Sequence, residues 1–273
     1  MNQIEVFAFV AALVALQLAL VLYIWGLLSV YTKKSTQDQA VSRYALPVMS
    51  IAWLAITLSL VMHAVQTGHI PATDMYEFSL SFAWGVLTAV LVFRWRQKND
   101  IVCAAGALTS LALLIYAFTL PAQHQPLSPI LNQTWLLPLH VSFAIIAYGL
   151  FALGFISAVL YLVGQRYTIS FFPSPVTLDR LGYRSSLAGF CFLTLVIIIG
   201  SIWARIAWGS YWSWDPKETA ALVTWLIYAF YLLTRWILGW KNSRSAWILV
   251  AGFLAVLLTF FGNLFFGGLH SYA

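Results

Sequence analysis

A chain of 273 residues that is 62% hydrophobic and only 8% charged carries more apolar surface than a soluble domain of that size can bury. With a mean hydropathy of +0.87, it is expected to be an all-α polytopic integral membrane protein. The net charge of +6 then reflects where the bases lie about the spans and gives no indication of nucleic-acid binding.

Apolar runs of spanning length fall at about residues 6–31, 45–65, 78–95, 101–120, 136–165, 184–207, 219–240 and 245–266, which predicts eight transmembrane helices. The first run is too long for a cleaved leader and lacks both a basic start and a small-residue cleavage site, so it is read as a span. No connection is long enough for a soluble domain and no repeat is visible; one domain over 1–273 is expected, with a tryptophan-rich loop at about 203–219. Twelve bases (Lys33, Lys34, Arg43, Arg94, Arg96, Lys98, Arg166, Arg180, Arg184, Arg235, Lys241, Arg244) fall at the odd-to-even connections, against Arg205 and Lys217 on the other side. That asymmetry predicts that those connections are cytoplasmic and both termini extracytoplasmic. The opposite face is then mildly acidic, with Glu5, Asp74, Glu77, Asp215 and Glu218. Cys103 and Cys191 stand alone inside predicted spans and read as small apolar residues.

The span interiors carry almost no charge, which argues against an ion-coupled carrier. All five histidines are expected on the outer side: His63 ends span 2, His69 and His124 lie in loops, His140 begins span 5 and His270 follows span 8. Two neutral imidazoles facing each other can hold haem iron, whereas the local spacing favoured by zinc is absent. On the same side, residues 208–218 read WGSYWSWDPKE. In an extended segment Trp212 and Trp214 would point the same way, and with Trp208 could form a platform for a planar apolar ligand. Arg205 and Lys217 are the bases available there for carboxylates such as haem propionates. Two simpler roles apply as well: tryptophans gather at membrane interfaces, and Asp215-Pro216-Lys217-Glu218 has the pattern of a helix start. In the loop GHIPATDMYEF, residues 68–78, Asp74 and Glu77 have capping-box spacing, while His69, Tyr76 and Glu77 could line a ligand or partner surface.

WGSYWSWDPKE resembles the tryptophan-rich WWD signature of the cytochrome c assembly family of haem-handling membrane proteins. The GHIPATDMYEF loop and eight spans are more similar to the CcsA/ResC branch of system II than to the six-span relative CcmC, and the likeness extends over essentially the whole chain. The resemblance implies that His140, in LLPLHVSF, and His270, in FGGLHSYA, are axial ligands to the iron of haem b. It also implies that Arg205, Trp208, Trp212, Trp214 and Asp215 belong to the haem-binding loop. Such a loop would leave the haem vinyl groups open to the CxxCH cysteines of apocytochrome c, with a CcsB/ResB-type membrane partner completing the synthase and thiol-reducing proteins supplying the pathway. A bacterial inner or thylakoid-type membrane is the implied location. The chain departs from the family pattern at Leu233, in FYLLTRW, where a histidine is common, and at His63, where an arginine is common. A haem-binding regulator or scaffold without ligation activity, or a structural subunit, would share much of this sequence.

Overall fold

The computed structural model describes residues 3–32, 40–71, 74–96, 99–121, 135–169 and 171–262. Among them are eight long helices: α1 Gln3–Tyr31, α2 Ala45–Thr67, α3 Met75–Arg96, α4 Asp100–Phe118, α5 Leu136–Arg166, α6 Pro175–Trp208, α7 Pro216–Ile237 and α8 Ser243–Phe261, with a short 3₁₀ turn at Ala40–Tyr44 before α2. All eight are long and apolar enough to cross a membrane. Each lies close to an expected run, except that α6 starts nine residues before residue 184. Hydropathy missed that start because Asp179, Arg180 and Arg184 interrupt the apolar run. The polar turns are held by tertiary contact: Arg235 grips Asp179 through two hydrogen bonds, of 2.7 and 2.5 Å, and lies 4.7 Å from the Tyr183 ring centroid.

The chain packs as two compact units, residues 1–126 with 164–174, and residues 127–163 with 175–273. In the first unit α1 packs on α2 and α4, and α3 on α4 and α2. Where lipid offers no hydrogen bonds, every buried polar atom needs a partner inside the protein. Between α2 and α3 this need closes a ring: Trp53 Nε1–H donates to Thr88 Oγ1 at 2.8 Å, and Thr88 donates to the Trp84 carbonyl. In return Trp84 Nε1–H donates to Thr57 Oγ1 at 2.9 Å, and Thr57 donates to the Trp53 carbonyl. The two indoles stack with centroids 5.9 Å apart.

The second unit holds α5 antiparallel to α6 along a seam of small residues. A Cβ at Gly182 would lie 2.9 Å from Ser157 Oγ, one at Gly154 2.8 Å from Ser186 Oγ, and one at Gly189 2.7 Å from the Phe151 ring. Such contacts let two backbones approach closely, the usual basis of helix association in a bilayer. On α6 the seam positions Gly182, Ser186, Gly189, Leu193, Val196 and Gly200 alternate steps of four and three, so one stripe faces α5 along its length. Phe151 also stacks on Tyr228 of α7 at 3.7 Å, and Tyr228 fits against Gly252 of α8.

Candidate functional site

Of the residues expected to hold haem, the described ones, His140, Arg205, Trp208, Trp212, Trp214 and Asp215, fall within the second unit. His140 is the fifth residue of α5, and the seam sets its partners on α6. Its Nδ1 lies 2.9 Å from the carbonyl oxygen of Val196. A carbonyl can only accept, so Nδ1 carries the proton and the ring's lone pair resides on Nε2. Gly200 forms the floor beneath the ring: a Cβ there would come within 2.7 Å of Cε1. Gly200 precedes the end of α6 at Trp208 by eight residues, so His140 docks about 12 Å along the helix from the loop, at ~1.5 Å per residue.

The loop itself departs from the extended platform expected of it. Trp214 has φ +59, the left-handed region that bulky residues avoid, and its ring meets that of Trp212 edge-on, at 5.9 Å and 86°. The two side chains therefore form an aromatic corner. Trp214 is 70% exposed, whereas Trp212 is half-buried. The Trp212 Nε1 atom is buried with no hydrogen-bond partner among the described residues. Trp203 belongs to the buried core of α6, and Trp208 closes that helix.

Charged residues hold this corner in place. Asp215 is the N-cap of α7, with Pro216 following it, and its carboxylate accepts from the Lys217 N–H at 2.9 Å. It is only 6% exposed, so the helix-start reading of DPKE is the local geometry observed. Glu218 completes the capping box and reaches further than sequence reasoning foresaw. Its Oε2 accepts from the N–H groups of Ser213 and Asp215, at 2.8 and 3.3 Å, and from Ser213 Oγ at 3.1 Å. Those two amides flank Trp214, so one carboxylate brackets the residue with the unfavourable backbone. At the other end of the loop Arg205 donates to the Gly209 carbonyl and lies 5.7 Å from the Tyr211 ring centroid. Leu233 is 49% exposed on α7, facing away from the core of its unit. His124 and His270 lie outside the described residues.

The first unit contains a buried ionisable cluster near the ends of three helices, a juxtaposition not expected from the sequence. His63 of α2 lies between Glu5 of α1 and Glu77 of α3: Nδ1 is 2.8 Å from Glu5 Oε1, and Nε2 is 2.5 Å from Glu77 Oε1. Their exposures are 0% for Glu5, 0% for His63 and 1% for Glu77. The imidazole either donates through both nitrogens as a cation, or donates through one while a protonated carboxyl donates to the other. Asp74 caps α3 as its spacing suggested, accepting the Glu77 N–H at 2.8 Å, and burial pushes its carboxyl above the ordinary carboxylate range. Glu77, however, turns its side chain to His63. His69 is also buried, with Nδ1–H donating to the Ile70 carbonyl at 2.9 Å. The available signal was one ionisable residue near an end of each of three successive spans, all expected on one side of the membrane.

Comparison with known proteins bears on the second unit and much of the first. The sequence profile of the family described as Cytochrome C assembly protein matches residues 72–270. "Cytochrome c biogenesis protein CcsA" of Chlorella vulgaris is 37% identical over 265 residues, covering 81% of this chain and 83% of the relative. The protein of the same description from Prochlorococcus marinus (strain NATL2A) is 33% identical over 300 residues, covering 96% and 92%. Among solved structures, "Cytochrome c Heme Lyase CcmF" superposes with a TM-score of 0.64 at 18% identity, a likeness of fold. That match takes in 93% of this chain, which spans 46% of the lyase.

Proposed function

The chain belongs to the cytochrome c assembly protein family, and from that premise we propose that this membrane protein of cytochrome c biogenesis binds haem and presents it for attachment to apocytochrome c. The observation that carries the proposal is the His140 imidazole. Metal-bound histidines characteristically donate their other ring N–H to a carbonyl or carboxylate, and His140 already does so to Val196 with its lone pair on Nε2. The donor set of the loop suits the same cargo. Trp212 Nε1–H is a buried donor awaiting an acceptor, the Trp212–Trp214 corner offers aromatic surface to a porphyrin edge, and Arg205 supplies positive charge for a propionate.

In this reading haem b is substrate and cargo. His140 and His270 hold its iron from opposite sides, Trp208, Trp212 and Trp214 line its edge, and Asp215 with Glu218 keeps the loop in shape. Attachment adds each cysteine S–H of CxxCH across a vinyl C=C; sulfur bonds one carbon, hydrogen the other, and no oxidant is consumed. The chain's part is to orient and shield the haem, with a CcsB/ResB-type partner completing the synthase and thiol-reducing proteins keeping the cysteines reduced. The distribution of bases supports placing this site on the outer face of a bacterial inner or thylakoid-type membrane.

The test is the absorption spectrum of the purified protein and of its His140→Gly and His270→Gly variants. A low-spin bis-imidazole spectrum is expected, lost in either variant and restored by exogenous imidazole; unaltered low-spin spectra in both variants would overturn the reading. A haem-binding scaffold without ligation activity is the second reading, favoured by Leu233 where a histidine is common in the family. Restored cytochrome c maturation in a strain lacking the equivalent protein would exclude it.

A further inference from the structure

An imidazole reaching a backbone carbonyl in the middle of a helix meets two obstacles. The carbonyl of residue i already accepts the N–H of residue i+4, and the side chain at i+4 leans back over it, because each Cα–Cβ bond tilts towards the helix N-terminus. For Val196 the covering residue is Gly200, which has no side chain. The second lone pair of the carbonyl is thereby open, and His140 takes it at 2.9 Å. The ring docks by one edge: a Cβ at Gly200 would lie 2.7 Å from Cε1 and 2.9 Å from Nδ1, but 3.8 Å from Nε2. The α5–α6 seam fixes the register of this contact, through Phe151 on Gly189, Gly154 on Ser186 and Ser157 on Gly182.

We propose that Gly200 and the Val196 carbonyl are positioning residues for His140, the glycine uncovering the carbonyl and the carbonyl taking the Nδ1 proton, so that Nε2 is the nitrogen presented to haem iron. The inference rests on the reading of His140 as a ligand and adds two residues that never touch the haem. A side chain at 200 acts twice, since it covers the carbonyl and displaces the ring. Loss of such outer partners typically weakens metal binding by roughly 10- to 100-fold.

Three measurements on the full-length protein in lipid nanodiscs separate the outcomes. The first needs no substitution in the sample measured: the ring nitrogens of ¹⁵N-histidine-labelled, haem-free protein at alkaline pH, with His140 assigned by its disappearance in His140→Gln. A proton on Nδ1 is expected, and a proton on Nε2 overturns the proposal whether or not any variant folds. The second is the same spectrum for Gly200→Ala, in which the His140 signal should lose its fixed tautomer. The third is haem titration and reduction potential of Gly200→Ala, with affinity lower by roughly 10- to 100-fold and a shifted potential expected. Added imidazole should return the low-spin spectrum. A Gly200→Ala protein that keeps both tautomer and haem affinity overturns the proposal. If the tautomer behaves as expected but His140→Gly retains its low-spin haem, it is the ligand reading that fails, and with it the role assigned to Gly200.

Discussion

The Glu5–His63–Glu77 cluster and the tryptophan loop both gather polar groups near helix ends, but they satisfy them in different ways. In the cluster three ionisable side chains from three helices are sealed from solvent and bonded to one another. In the loop one carboxylate, Glu218, spends its hydrogen bonds shaping backbone, while an indole N–H is buried without a partner and a second indole lies open. The first arrangement ties α1, α2 and α3 together through side chains that bond one another. The second leaves a buried donor and an open aromatic ring, which the proposed haem would meet. The contrast is between side chains that tie three helices to one another and a loop whose polar groups shape its own backbone and leave an indole donor unmatched.

The largest effect is expected at His63. His63→Ala leaves two buried carboxylates facing a void, and breaking a buried ionic pair in this way costs about 3–5 kcal/mol. Reversible unfolding in mixed micelles should show that loss, while the fraction that folds keeps the haem spectrum of the parent. A spectrum that changes with His63 would end the contrast between clasp and binding site. Next comes Glu218→Ala, which removes the capping-box return and the bonds on either side of Trp214, a loss of about 2 kcal/mol. Here haem retention should fall together with stability, and limited proteolysis should open the 209–215 segment.

Trp212→Phe sharpens the comparison further, because it deletes only the indole N–H and part of the ring. In haem-free protein, losing an unpaired buried donor should leave stability unchanged within ~0.5 kcal/mol or raise it slightly. Haem dissociation should nevertheless quicken by roughly tenfold, the equivalent of one hydrogen bond of ~1.4 kcal/mol. Equal behaviour with and without haem would return Trp212 to an aromatic belt. The smallest effect belongs to Asp74, whose carboxyl burial holds above its usual range. A carboxyl raised in the folded state favours folding while protonated, so its contribution is present below the ordinary carboxylate range and fades as pH rises through the folded value. Asp74→Asn keeps a capping oxygen and should flatten that part of the stability-against-pH curve.

Sequence alone determined the eight spans, the cap at Asp215 with Pro216 and Glu218, and the Asp74 cap, because each depends on residues within a turn or a span of one another. The tryptophan spacing likewise carried the family in eleven consecutive residues. Only the tertiary structure decided that His63 meets Glu5 across 58 residues and Glu77 across 14, since the apolar residues of α1 and α2 do not encode the rotation that brings their polar positions together. It also decided the left-handed turn at Trp214, which a local rule would assign to glycine, and which Glu218 holds from beyond the turn. The same holds for His140, 56 residues from the carbonyl it binds. Its partner follows from the small-residue seam of α5 and α6, where close backbone approach sets one helix against the other and only a missing side chain at Gly200 lets the imidazole in.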